Sequence, residues 1–333
     1  VYKRQAVPDD LLAGFSFKAG QYLILKALIN GKEVRRDYSL CTSIGESTLK
    51  VVVKEVENGL FSTYANNELR EGDYLEVSTA KGRFVLEPEE NAKRQIIAFA
   101  AGSGITPVMS IIKTGLEEEP NSKFVLVYGN KTPDDTIFLD ELKELKSRYD
   151  NRLNLFWTYS QSNEPYSLFG RIESSTVNYV SNQINGFSDS AIFYLCGPKE
   201  MIEVVSDTLN QKGIPKEQIK FELFTNVPEA PEPVSSGPSD GSTEVTVLVD
   251  DETSSFKMPQ DKTILEVALE NNIDAPYSCQ GGICSSCIAR LTEGEVSMRQ
   301  NNILTDGELE EGYILTCQAQ PITPKVSIDY DDV

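Results

Sequence analysis

Hydrophobic positions along this chain follow two rhythms in turn. Between residues 20 and 90 they form short β-rich runs, at 21–28, 49–55 and 74–79, each broken by turn residues. That punctuation predicts an antiparallel β-barrel over residues 6–92. From about residue 94 apolar runs of strand length alternate with helical patterns. Strands are expected at 95–100, 123–128, 153–159 and 191–195, with helices from about Pro107, over 138–149 and after Pro198. Alternation of this kind implies a parallel α/β sheet with right-handed crossovers over residues 93–226. No internal repeat is visible.

A third pattern is the absence of apolar positions. Residues 227–242 (VPEAPEPVSSGPSDGS) hold four Pro, four Ser and two Gly. Such a stretch cannot bury apolar surface and reads as a mobile tether. As flexible coil it would span on the order of 20 Å, enough to let residues 243–333 swing between docking positions. Residues 1–5 (VYKRQ) resemble a translated cloning adapter and are set aside from the fold, so the barrel is expected to lack its true beginning.

Composition narrows the function. The chain has 333 residues, 40% hydrophobic and 25% charged, as expected of two or three soluble domains. No apolar run approaches the roughly 18 residues of a membrane span, and a cytoplasmic location is expected. The net charge of −20 argues against a nucleic-acid partner. It favours an oppositely charged protein, because Thr243 to Val333 carry 17 acidic and 5 basic side chains, a net of −12. Histidine is absent, which excludes histidine-based nucleophilic catalysis, Rieske clusters and His-ligated zinc or haem. The chemistry therefore needs little side-chain proton transfer.

Cysteine spacing supplies the strongest motif. Cys279-x4-Cys284-x2-Cys287 is followed, after 29 residues, by Cys317. Three thiolates on one tight loop and a fourth from a neighbouring segment match the spacing of a plant-type 2Fe–2S cluster. Gly281 and Gly282 let the loop curl so that backbone N–H groups point at sulfur. The competing assignments are a structural zinc site, which usually carries two short Cys pairs, and a disulfide framework. Residues 243–333 closely resemble plant-type ferredoxin, which implies a β-grasp fold.

Two further groups of residues gain meaning together. Arg36-Asp37-Tyr38-Ser39-Leu40, then Val53-Lys54, then Gly59-Leu60-Phe61-Ser62 resemble the flavin-binding stretches of ferredoxin–NADP+ reductases. The resemblance implies that Arg36 neutralises a flavin pyrophosphate and Tyr38 stacks on the isoalloxazine. Ser39 would lie near N5, with the Gly59–Ser62 turn cradling the diphosphate. A guanidinium suits phosphate and an aromatic face suits a flat ring. Two phosphate-binding stretches favour FAD over FMN. Gly102-Ser103-Gly104-Ile105-Thr106-Pro107 resembles the family's nicotinamide-dinucleotide loop, and Cys196-Gly197-Pro198 with Met201 its C-G-P-x-x-M element. Taken alone, the first could be an ordinary strand–helix turn and Cys196 a small core residue.

After the second nucleotide strand, Tyr128-Gly129-Asn130-Lys131 offers a Lys and no acid, which favours NADPH. Ser160-Gln161-Ser162 lacks the Arg of many NADPH-using relatives, so NADH stays open. Phe224 is a candidate to cover the second flavin face, or a core residue.

The order of parts resembles the reductase subunits of bacterial oxygenases, most closely the phenylacetyl-CoA epoxidase (monooxygenase) reductase family. That implies hydride transfer from NAD(P)H to FAD, oriented by Ser39, Thr106 and Cys196, and single electrons passed through the cluster to an oxygenase. A reductase for a hybrid-cluster protein or free ferredoxin, and a non-enzymatic redox sensor, are the alternatives.

Overall fold

A computed structural model describes residues 2–5, 7, 12–46, 48–224 and 242–333. The chain divides into two compact units, residues 1–225 and 226–333. The expected tether lies outside the described residues except for Ser242, which already belongs to a strand.

The first unit opens with an antiparallel barrel. Tyr22–Ile29 (β2) and Lys32–Ser39 (β3) form a hairpin in register from Tyr22↔Ser39 to Ile29↔Lys32. Asn30 and Gly31 turn it with φ of +52° and +76°, the left-handed pair that a two-residue hairpin needs. Glu76–Val77 (β5) adds to β2. Tyr2–Gln5 (β1) pairs antiparallel with Leu49–Val52 (β4). Residues 2–5, set aside as part of an adapter, thus form a strand, because β4 presents ladder groups for them to pair with. Bridge Leu40↔Val51 ties the two sheets together, and Tyr22↔Lys81 and Ala19↔Leu86 extend the pairing beyond them. Their shared interior holds Leu23, Leu25, Leu40, Val51, Val53 and Phe61. One expected turn differs: Leu60–Asn67 is a helix (α1), with Gly59 at its N-cap.

The α/β part follows without a break. Gln95–Ala101 (β6), Lys123–Asn130 (β7), Leu153–Tyr159 (β8), Ser167–Phe169 (β9), Ile192–Gly197 (β10) and Ile219–Leu223 (β11) make one parallel sheet. Its order is β11-β10-β6-β7-β8-β9. Four helices connect it: Ile105–Glu118 (α2), Leu139–Arg148 (α3), Ser174–Gln183 (α4) and Lys199–Gln211 (α5). The middle strands are almost wholly buried, as strands covered on both faces must be. The chain winds outward from β6 to β9, then returns to place β10 on the other side of β6. The carboxyl ends of β6 and β10 therefore flank a topological switch point, where such sheets open a crevice.

Barrel and sheet share one core, in which Ala19, Cys41, Phe84 and Leu86 pack with Ile96, Ile111 and Leu116. Across the seam the Ser110 hydroxyl donates to the Thr42 carbonyl at 2.6 Å, and Tyr194 donates to the Val85 carbonyl at 3.0 Å.

The second unit is a β-grasp. Ser242–Val249 (β12) and Glu252–Pro259 (β13) form a hairpin, and Ile264–Glu270 (α6) crosses the sheet face. Ile288–Glu293 (β14), Tyr313–Leu315 (β16) and Lys325–Asp329 (β18) complete the order β13-β12-β18-β14-β16. β12 and β18 are parallel. Val296–Met298 (β15) pairs with Ala319–Pro321 (β17), and Asp306–Glu310 (α7) lies between them in sequence. Thr263 with Glu266 and Thr305 with Glu308 are reciprocal capping boxes that fix where the two helices start. No helix among the described residues is long and apolar enough to cross a membrane.

Candidate electron-transfer site

In the second unit, Cys279 and Cys284 lie on the segment between α6 and β14. Cys287 stands at the foot of β14, and Cys317 lies two residues past the end of β16. The strand pairing Ile288↔Leu315 brings the last two together across the 29 residues that separate them in sequence. The loop curls through two left-handed conformations: Gln280 has φ +54° and Gly282 φ +67°. Gly281 N–H donates to Cys279 Sγ at 3.3 Å.

The thiols associate two and two, Cys279 with Cys284 and Cys287 with Cys317. Among the described residues no three His, Cys, Asp or Glu side chains converge as a single-ion site would require. Paired thiols suit a binuclear cluster, in which each iron takes two protein sulfurs. The Cys284 thiol beside Cys279, helped by the N–H groups of Gly281, Ile283 and Cys284, lowers the Cys279 thiol to about 6. Cys317 is likewise held below the ordinary thiol range, first by Cys287 and also by Gln318. Cys287 shifts upward because Cys317 and burial both oppose a second charge beside it.

In the first unit, the sequence candidates gather along the seam between barrel and sheet. Arg36 is exposed on β3, and its Nη1 donates to the Arg35 carbonyl at 2.7 Å, leaving most of the guanidinium fork for a ligand. Tyr38 is partly buried with its ring 5.6 Å from that of Phe61, and burial raises its hydroxyl to about 12. Ser39 and Leu40 are buried at the end of the same strand. Ser62, in the first turn of α1, accepts from Val56 N–H at 3.1 Å and donates to the Gly59 carbonyl at 3.2 Å. That knots the loop from Val56 to Ser62 and leaves no room for a Cβ at Gly59. Val53 is fully buried in the barrel core, whereas Lys54 and Leu60 are exposed.

At the switch point, Gly102 has φ +54° and open space where a side chain would be. Gly104 touches the other flank. A Cβ there would lie 2.6 Å from the Cys196 carbonyl carbon and 3.0 Å from Gly197 N. The two loops thus meet backbone to backbone. Ser103 accepts through its carbonyl from Thr106 Oγ1 at 3.0 Å, and Pro107 sits in the first turn of α2. Thr106 and Cys196 are 3% and 0% exposed. Burial pushes the Cys196 thiol well above its ordinary range, so this sulfur is a neutral packing group rather than a nucleophile. Met201 packs beneath Gly197, and Phe224 N–H donates to the Gly197 carbonyl at 2.9 Å with its ring partly buried.

Asn130, at the end of β7, has both side-chain polar atoms closed off from solvent and unpaired in the protein. An orphaned amide at the carboxyl end of a strand fits a ligand that supplies its partners. Its exposed neighbour Lys131 accepts through its carbonyl from Gln161 N–H at 2.9 Å.

One residue of this seam was not singled out in the sequence. Glu222 on β11 is in register with Cys196, and its Oε2 is sealed from water without a partner. Burial first, and then the charge of Asp37, raise its carboxyl to about 8. Asp37 precedes Tyr38, so this interaction joins the barrel motif to the C-G-P strand. The available signal was an acid inside the apolar run Phe221 to Phe224, at a strand's carboxyl end.

A barrel–sheet seam lined by Arg36, Tyr38 and Phe61 beside a glycine-lined switch point, with a two-plus-two thiol cradle on a second unit, defines a class: a flavin- and iron–sulfur-dependent NAD(P)H reductase. The similarities agree. The family model for an oxidoreductase FAD-binding domain matches residues 10–86, that for an oxidoreductase NAD-binding domain 99–207, and that for a 2Fe-2S iron-sulfur cluster binding domain 247–321. The chain is 37% identical to one of the subunits of 1,2-phenylacetyl-CoA epoxidase of Escherichia coli (strain K12), over 98% of this chain and 92% of that protein. It is 32% identical to the ferredoxin reductase component of 3-ketosteroid-9-alpha-monooxygenase of Rhodococcus rhodochrous, over 98% and 91%. The solved structure of phthalate dioxygenase reductase covers 94% of this chain and 88% of its own, with a TM-score of 0.58 and 27% identity. The chain belongs to the family of oxygenase reductase components that includes this phenylacetyl-CoA epoxidase protein, and it is an oxidoreductase with FAD, nicotinamide and 2Fe–2S domains.

Proposed function

We propose that this reductase serves an oxygenase of the phenylacetyl-CoA epoxidase type, and that NADPH is its preferred electron source. The supporting observation for the partner is similarity along nearly the whole length of the epoxidase protein, all three modules included. FAD supplies the two-electron to one-electron conversion, and the 2Fe–2S cluster supplies one-electron export.

The chain's own residues then have separable tasks. Arg36 and the knotted loop from Gly59 to Ser62 hold the flavin diphosphate, while Tyr38 and Phe61 offer it an aromatic wall. Gly102, Ser103 and Gly104 let the dinucleotide pyrophosphate approach backbone N–H groups at the start of α2. Ser39, Thr106 and Cys196 shape the contact between the two rings and exclude water, because all three are nearly buried. Glu222 is a neutral acid there at neutral pH, which keeps a second negative charge away from the ring system. Cys279, Cys284, Cys287 and Cys317 hold the cluster. The 17 acidic side chains from Thr243 to Val333 steer the unit to a basic patch on the acceptor.

For the nucleotide, exposed Lys131 at the end of β7 can meet a 2′-phosphate. Glu164 lies on the loop beyond β8, where its carboxylate accepts from the Ser162 hydroxyl. Parallel anaerobic titrations with NADPH and NADH, followed by optical and paramagnetic-resonance spectroscopy, test the whole reading. NADPH should bleach the flavin band and produce a reduced-cluster resonance at lower concentration than NADH. Equal response to both removes the NADPH preference. Electron delivery to a purified epoxidase oxygenase, falling as salt rises, tests the partner, and no delivery overturns it.

A further inference from the structure

Gln318 follows the fourth cysteine and is 1% exposed. Its Nε2 donates to the Gln280 carbonyl at 3.0 Å and reaches Cys317 Sγ at 3.5 Å. Its Oε1 is closed off from solvent and has no partner. The side chain is wedged against the cysteine loop, its Cγ only 3.0 Å from where a Cβ on Gly282 would sit. A second glutamine braces the same loop differently. Gln300 Nε2 donates to the Gly281 carbonyl at 2.6 Å and contacts no sulfur.

Burying an amide with one end unsatisfied is costly, and a leucine or methionine would fill a similar volume without that cost. Gln280 and Gly282 adopt left-handed conformations, and the Gln318 amide holds the first of them through its carbonyl. What an apolar side chain could not supply is that bond or a hydrogen bond to the sulfur. N–H donors to thiolate ligands stabilise the extra negative charge a cluster acquires on reduction, and so raise its potential.

We infer that Gln318 is a positioning residue that sets the reduction potential of the cluster, by donating its side-chain N–H to Cys317 Sγ while pinning the Gln280 turn. The inference rests on the four cysteines holding a 2Fe–2S cluster. Gln300 is the internal comparison, since it pins the neighbouring turn without touching a ligand.

The experiment uses the full chain with its cofactors. Iron content and the optical spectrum come first; a wild-type protein without a 2Fe–2S cluster overturns the cluster assignment itself. Redox titration monitored by paramagnetic resonance is then run on wild type, Gln318→Met, Gln318→Glu and Gln300→Met. Both Gln318 variants should have lower potentials than wild type, with the Glu variant lowest, and Gln300→Met should stay at the wild-type value. An unchanged potential in Gln318→Met, or an equal shift in Gln300→Met, overturns the inference. Should the Gln318 variants fail to assemble, wild type labelled with 15N in glutamine side chains decides it. Pulsed resonance of the reduced cluster should show coupling to an amide nitrogen, and its absence sinks the proposal.

Discussion

The thiol cradle and the seam between barrel and sheet are built on opposite plans. In the cradle, three of four functional side chains fall within nine residues, Cys279 to Cys287, and one strand pairing delivers the fourth. At the seam, β3, α1, the turn after β6, and β7, β10 and β11 each contribute one to three groups from across more than half the chain. A locally coded site depends on which atoms it carries. An assembled site depends on how closely its strands approach, so small backbone displacements should damage it while leaving its chemistry intact.

Removing a ligand is the harshest way to break this contrast. Cys284→Ser or Cys317→Ala should abolish the reduced-cluster resonance and electron delivery to a protein acceptor. Flavin bleaching by NADPH should survive in the same samples, because the first unit loses nothing. Loss of both activities together would show that the two regions are not separable.

Gly104→Ala is the counterpart at the seam. Its Cβ would collide with the Cys196–Gly197 backbone, which cannot move aside as a flexible side chain would. A displacement of about 1 Å here should slow flavin reduction roughly 100-fold. Iron content should be unchanged, and stopped-flow absorbance reads both.

Glu222→Gln should have a smaller effect, visible in the pH dependence of stability. The folded carboxyl titrates at about 8 against an ordinary 4.5, so the folded state binds a proton more tightly. Its stability contribution is present at low pH and is lost as pH rises from 4.5 through 8, on the order of a few kcal/mol. Thermal unfolding of wild type should therefore move to lower temperature between pH 6 and about 8, and the Gln variant should flatten that slope. Asp37→Asn should shift the midpoint to lower pH, because the second-largest cause of the raised value is removed.

The smallest expected change is from Lys131→Ala. An exposed cation contributes modestly, so KM for NADPH should rise about fivefold with KM for NADH unmoved. A matching rise for both would mean that Lys131 does not read the 2′-phosphate.

Periodicity told the architecture of the first unit, whereas the β-grasp of the second came from its resemblance to plant-type ferredoxin. Strand–helix alternation was readable because β6, β7 and β10 are buried on both faces and so are apolar almost throughout. The cysteine spacing was readable because a tight loop must carry its ligands close together in sequence. Other features needed the folded neighbours. Gly59–Ser62 looked like a turn because the helix that starts there, Leu60–Asn67, is only two turns long and is held against the barrel by Phe61 and Ala65. Tyr2–Gln5 became a strand only because β4 lies beside it.

Glu222 and Gln318 mark the same boundary within the two functional regions. Nothing in Phe-Glu-Leu-Phe says that the carboxyl will be sealed beside Cys196 and face Asp37. Nothing in Cys-Gln-Ala says that the amide will fold back onto Gln280 and the sulfur before it. The sequence by itself determined most of the elements and the spacing of the cysteines, since periodicity and tight loops are local constraints. Only the tertiary structure decided which buried polar groups face each other, because desolvation and hydrogen-bond reach depend on distance in space rather than along the chain.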